Sequence, residues 1–199
     1  MPALRKVGGL SLIALALLAA ALTCRGSGGG TGHGHRCDRP GALDLHGRTV
    51  TALDLDGRPL RCANLEGAVL DGPLGSADLR GANLYRATLR DTALTEVDLR
   101  GADLGAAILR GATLTDVGLE RARLRGADLH AVSLLRTDLS AADLTGADLS
   151  GATLTDSDLR GARLDKANVA ATSWINAVCP DGTKSTAATC DGHLVPRPG

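Results

Sequence analysis

The 199-residue chain has no Phe and only one Trp, one Tyr and one Met. A core of interlocking aromatic rings is excluded, so aliphatic side chains must carry the packing. Neither sign of charge prevails, since 22 basic and 22 acidic side chains balance at pH 7. That balance excludes a polycationic nucleic-acid binder, and no nucleic-acid partner is expected. Catalytic signatures are missing too: no Gly-x-Ser-x-Gly, phosphate loop, Cys-x-x-Cys or His-Glu-x-x-His occurs. No enzyme class, cofactor or metal is therefore indicated. His46, His130 and His193 stand isolated. What the chain has instead is 26 Gly and a heavy load of Leu and Ala.

Arg5 and Lys6 precede an apolar run, Leu10 to Leu22, that reads as a secretory h-region and is too short to span a bilayer. Residues 1–23 are accordingly assigned to a signal peptide. Ala21-Leu22-Thr23-Cys24 resembles the lipobox of bacterial lipoproteins, in which the Cys becomes the lipidated first residue. Thr23 departs from the usual Gly, Ala or Ser, and Ala19-Ala20-Ala21 offers a plain cleavage site that would release a soluble product. The expectation is an exported cell-envelope lipoprotein anchored to the membrane through Cys24, the alternative a soluble secreted or periplasmic protein. Residues 24–36, rich in Gly, read as a tether spanning on the order of 20 Å. His33, His35 and Cys37 lie two apart within or beside it, and read as linker rather than a metal site. Assigning Cys24 to lipid leaves four cysteines and three connectivities. Sequence proximity favours Cys37 with Cys62 and Cys179 with Cys190.

From residue 74 Leu recurs at every fifth position, Leu74, Leu79, Leu84 and onward to Leu164, nineteen in succession, with Val169 and Trp174 extending the series. Two residues before these centres sits Ala in twelve cases and Gly, Ser, Thr or Val in the rest. A five-residue step advances 500° on an α-helix and gives no apolar stripe. On a strand an odd period alternates faces. The chain must turn a corner in each pentad, so that every Leu and the small residue before it face one axis. That is a solenoid.

Ala77-Asp78-Leu79-Arg80-Gly81, Ala82-Asn83-Leu84, Ala102-Asp103-Leu104, Ala127-Asp128-Leu129 and Ala147-Asp148-Leu149 resemble the A-(D/N)-L-x-x pattern of the pentapeptide-repeat family. The likeness covers residues 42–175 and implies an all-β fold, the right-handed quadrilateral parallel β-helix, with four pentads per 20-residue coil and six to seven coils. Independent support comes from offsets that are all multiples of 20: Asp-Leu-Arg-Gly-Ala at 78, 98 and 158, and Ala-Thr-Leu-Thr-Asp at 112 and 152. The column Asp103, Arg123, Asp143, Arg163 alternates in sign, as stacked neighbours prefer. Earlier centres, Leu45 to Leu70, lie in a frame one residue out, with Gly72-Pro73 at the slip. In that frame Arg48 and Arg58 fall on inward positions, so residues 37–73 are expected to form a cap and irregular first repeats. Residues 74–175 are expected to be regular, and 176–199 to form a Cys-loop tail under Trp174, resembling the tails of some exported members of the family.

The reading for function is a non-enzymatic envelope scaffold whose partner is an unidentified protein or envelope component. Outward residues that break the pattern mark a candidate surface: Tyr85, the one exposed aromatic expected, and Leu135, in a column otherwise holding Thr95, Thr115 and Thr155. Two alternatives come from resemblance. Some family members imitate DNA to protect type II topoisomerases, and residues 41–176, with 19 acids and 15 bases, are weakly acidic. Thr113-Leu114-Thr115 and Thr153-Leu154-Thr155 resemble the threonine pairs of ice-binding β-helices.

Overall fold

The computed structural model describes residues 42–55, 58–185, 189–190 and 192–194; the expected signal segment and tether, with Cys24, His33, His35 and Cys37, lie outside them. Every centre from Leu79 to Leu164 is buried, and so are the small residues two before them at most positions. The geometry that puts them there is local. The residue two after each centre, from Gly81 through to Asn176, takes a positive φ. On three of the four sides the corner is a type II turn: Ala82 N–H donates to Leu79 O at 3.0 Å, Ala87 to Leu84 at 3.0 Å and Thr92 to Leu89 at 3.4 Å.

Such a closed corner leaves one donor outside the ladder, the N–H just after the centre. The Asp or Asn just before the centre takes it. Asp78 Oδ1 accepts the Arg80 N–H at 3.2 Å, Asn83 Oδ1 that of Tyr85 at 3.0 Å, Asp103 Oδ1 that of Gly105 at 2.9 Å and Asp138 Oδ1 that of Ser140 at 2.8 Å. This is why the repeat carries a short acid or amide there.

On the fourth side the residue before the centre is Pro in the first coil and Ala, Ser or Thr in the others, the segment stays extended, and the chain leaves by a bend. These segments are β3 (Leu74–Gly75), β4 (Ala93–Thr95), β5 (Thr113–Thr115), β6 (Ser133–Leu135), β7 (Thr153–Thr155) and β8 (Ser173–Ile175). They stack in chain order as one parallel sheet, aligning Leu94 with Leu114, Leu134, Leu154 and Trp174. Single parallel bridges at the same 20-residue step join the other sides, as from Asp78 to Asp98 or Asp103 to Arg123. The architecture is the quadrilateral parallel β-helix, of about six turns. Buried hydroxyls are satisfied within it: Thr137 Oγ1 donates to Leu114 O and Ser157 Oγ to Leu134 O, each at 3.3 Å.

The parallel ladder begins upstream of the slip. β1 (Thr49–Thr51) pairs with β2 (Val69–Asp71) at a 20-residue step, whereas Asn64 with Asn83 and Val69 with Thr88 are 19 apart. One coil is therefore a residue short, and Gly72, at φ +90°, and Pro73 absorb the deficit where no ladder donor is needed. One helical turn, α1 (Ala52–Leu55), replaces a corner in the first coil, capped as Thr51 N–H and Oγ1 donate to Asp54 Oδ2 at 2.9 Å. Arg48 and Arg58 correct the sequence expectation: both are exposed. Burying an unpaired guanidinium costs several kcal/mol, and both backbones instead close turns, onto Leu45 O at 3.1 Å and Leu55 O at 3.2 Å.

Candidate functional site

The outward side chains form four faces, named here by one centre each. On the Leu79 face the carboxylates of Asp78, Asp98, Asp138 and Asp158 stack with Gly118 in the gap. Arg80, Arg100 and Arg160 reach back two residues, to Asp78 at 2.6 Å and to Asp98 and Asp158 at 2.5 Å. The Arg80 guanidinium holds the Asp78 carboxyl down to about 2, and Arg100 lowers Asp98 in the same way. Mid-face the pattern fails, because Glu120 and Ser140 replace the arginine. Glu120 folds over Gly118, where an added Cβ would stand 3.0 Å from its Oε2. That oxygen is buried without a hydrogen-bond partner, and burial, with repulsion from Asp138, pushes the carboxyl up. A hollow of about 590 Å³ opens there between Arg100, Arg121, Asp138 and Ala141.

The Leu84 face carries the expected alternation, bridged from Asn83 through Asp103, Arg123 and Asp143 to Arg163. Arg123 meets Asp103 at 3.6 Å, and Arg125 and Arg163 converge on Asp143 at 3.1 and 3.9 Å. Tyr85 corrects the expectation of an exposed aromatic. Its ring lies half-buried over Gly105 one coil on, where a Cβ would stand 3.0 Å from Cδ2, and Arg86 sits 5.0 Å from its centroid. A glycine beneath was the available signal.

On the Leu89 face Arg110 pairs with Asp128 at 3.1 Å, and His130 Nδ1 lies 2.9 Å from Ser150 Oγ. His130 is thus not isolated. Ser150 also bonds Asp148 and lowers its carboxyl.

The Leu94 face is the outer surface of the β3–β8 sheet and carries no charge. Ala93, Thr113, Ser133, Thr153 and Ser173 form one column, Thr95, Thr115, Leu135, Thr155 and Ile175 the next. The structure thus brings Leu135, Thr115 and Thr155 together and places Tyr85 on another face. Ile175, 46% exposed, extends their column and was missed in the sequence. Ser133 and Leu135 lie between the two Thr-Leu-Thr strands, so no continuous threonine array forms. Charges border the face at the following corner, where Arg136 grips Asp116 through two contacts of 2.7 Å and Asn176 donates to Asp156.

Of the cysteines, Cys179 and Cys190 are joined, with Cα atoms 5.7 Å apart. Cys62 is also disulfide-bonded, and Cys37 and Cys24 lie outside the described residues. His193, read as isolated, meets Asp181 at 2.8 Å. Among the described residues no group of three or more His, Cys, Asp or Glu is placed to hold a metal, and no helix is long and apolar enough to cross a membrane.

Among solved structures the chain is similar to HetL, a pentapeptide repeat protein involved in heterocyst differentiation regulation from the cyanobacterium Nostoc sp. strain PCC 7120. Identity is 24% over 72% of this chain and 92% of that one, with a TM-score of 0.39. It is similar to full-length QnrB1, a plasmid-mediated fluoroquinolone resistance protein, at 20% over 68% and 81%, TM-score 0.33. A third likeness is to Rfr23 from the cyanobacterium Cyanothece 51142, at 19% over 67% and 85%, TM-score 0.25. No curated protein matches the chain. The family model for pentapeptide repeats matches in eight copies, over residues 74–111, 94–130 and 133–169, and the chain belongs to that family.

Proposed function

We propose that the protein is a non-enzymatic scaffold of the cell envelope, exported by residues 1–23 and anchored by lipid on Cys24, that presents its Leu94 face to another envelope protein. The uncharged sheet carries this reading. On the other three faces arginines and carboxylates bind one another across or within coils, and a partner would have to break those pairs. On the Leu94 face Thr115, Leu135, Thr155 and Ile175 offer apolar and hydroxyl groups at no such cost. The Cys179–Cys190 disulfide supports an oxidising compartment. Mimicry of DNA would ask for unpaired carboxylates along a face, and the arginines of the Leu79 and Leu84 faces oppose that reading.

Photo-crosslinking in cells tests the face. Crosslinkers placed at Leu135 and Thr115 should capture one protein that Thr145, on the opposite face, and Ser150, on a neighbouring one, do not; equal capture from all four positions refutes it. Mass spectrometry of the native protein tests the anchor. An acylated Cys24 is expected, whereas an intact Met1 with reduced cysteines would revive the cytoplasmic, topoisomerase-directed alternative.

A further inference from the structure

The uncharged Leu94 face is long and narrow. Its six strands, β3 to β8, stack over about 24 Å at ~4.8 Å each, and three residues per strand give a width of about 10 Å, so the sheet offers roughly 240 Å². A standard complex buries ~800 Å² on each partner. Flat packing of a second copy, sheet on sheet, falls well short of that, and a partner of this face must reach over a rim as well. The two rims differ.

The corner before the sheet carries Asp91, Gly111, Ala131, Gly151 and Ala171, with one charge at its N-terminal end. The corner after it carries Ser76, Glu96, Asp116, Arg136, Asp156 and Asn176, all exposed. These six join as three couples, each across one coil step. Ser76 Oγ donates to Glu96 Oε2 at 2.9 Å, Arg136 holds Asp116 through two contacts of 2.7 Å, and Asn176 donates to Asp156. Only the middle couple cancels its charge. Three carboxylates against one guanidinium leave this rim at net −2, and the excess falls on Glu96 and Asp156, whose couples are with a neutral hydroxyl and a neutral amide. Arg136 feels Asp156 one coil on, but its hydrogen bonds go to Asp116.

We propose, resting on the reading of the Leu94 face as a docking surface, that its partner is a protein bearing an uncharged strip bordered on one side by two basic side chains about 14 Å apart, which pair with Glu96 and Asp156 three coils from each other. Carboxylates that far apart cannot share one ion, and a net negative rim repels an anionic lipid surface, so the complement is a protein surface with spaced cations. Arg136 stands between the two carboxylates and rejects a third cation there. Spacing, and not total positive charge, is therefore what the rim selects. The opposite rim, with small side chains beyond Asp91, lets the partner lie close without selecting charge, so the acidic rim fixes which way round it docks.

The test keeps a photo-crosslinker at Thr115 in the full chain, in cells, and varies the rims around it. Adduct yield is compared for the unaltered rim, for Glu96→Lys with Asp156→Lys, for Glu96→Gln with Asp156→Asn, and for Asp91→Lys on the opposite rim. The lysine pair should lower the yield by about tenfold or more, the neutral pair severalfold, and Asp91→Lys not at all. Once mass spectrometry has identified the captured protein, reversing its two basic residues to Glu should restore the adduct with the lysine pair. All three altered side chains are exposed and remain non-glycine at their corners, so circular dichroism should not change; if the lysine pair fails to fold, the neutral pair decides. An adduct whose yield ignores Glu96 and Asp156, or falls equally with Asp91→Lys, overturns this inference and leaves the docking face standing. No adduct from Thr115 or Leu135 in the otherwise unaltered chain overturns both.

Discussion

Thirteen non-glycine residues between positions 81 and 176, among them Ala106, Ala131 and Ala141, hold a positive φ that costs an L-residue on the order of 1 kcal/mol. Ala131→Gly should therefore raise stability by about that amount, and Gly126→Ala should lower it by as much. Nothing lies within 4 Å of a Cβ built on Gly126, so the penalty there belongs to the backbone alone. Denaturation midpoints of both variants check this. Removing a turn acceptor is the complementary experiment. Asp138→Ala leaves the Ser140 N–H without its partner and should cost about 1 kcal/mol, while Asp138→Asn should restore most of it. The carboxyls of Asp78, Asp98, Asp116 and Asp148 titrate lower in the fold than the usual value of about 4. The unfolded chain thus takes up protons first, and stability present above pH ~4 should be lost as pH falls toward 2, read by thermal melts across that range. Glu120 runs the other way. Its carboxyl is raised, so its charged form disfavours the fold at neutral pH, and Glu120→Gln should stabilise by less than about 1 kcal/mol at pH 7 and by nothing below pH ~4. At this scale the sequence showed that Asp precedes Leu but not why. The reason is the orphan N–H of a closed corner, which becomes visible once the turn is drawn.

A coil is the natural element here, and its axis is filled by one Leu per side. Leu124, fully buried, lies between its counterparts at 104 and 144, and Leu124→Ala should cost about 2–5 kcal/mol by leaving a cavity that rigid neighbouring coils cannot close. The five-residue spacing made that column legible in advance, because no helix or flat strand accommodates such a period. The single sheet was less legible, although its signal is present: Ala93, Thr113, Ser133, Thr153 and Ser173 interrupt the Asp and Asn positions every 20 residues. Their N–H-accepting role is not needed where the segment stays in the ladder. The helical turn α1 escaped the pattern altogether, since it rests on two hydrogen bonds between Thr51 and Asp54 and not on a repeat. Tyr85 misled for a related reason. Outwardness along the chain was read correctly, but the cover it finds comes from a glycine 20 residues away.

For the whole molecule, stability is held between neighbouring coils, so length can change in whole steps. Deleting residues 115–134 should join Leu114 to Leu135 with every face preserved, leaving a folded, shorter rod. Deleting 115–124 would set the Thr-bearing side over the carboxylate-bearing side, mismatch open and closed corners, and abolish the β signal. Circular dichroism with a hydrodynamic radius distinguishes the two outcomes. The neutral charge total follows from the same stacking, since carboxylates repeated at strand spacing must be met by arginines on the same or the next coil, as Asp103 is met by Arg123. The short coil at Gly72-Pro73 has a further consequence of its own. It is a phase mark: residues before it and after it follow numerically different grids, so a segment duplicated or lost across that point would land half-turned letters on the wrong wall. Growth of the rod by copying its own repeats is thereby confined to the stretch beyond Leu74, and the uncharged wall can lengthen only on the C-terminal side of that mark.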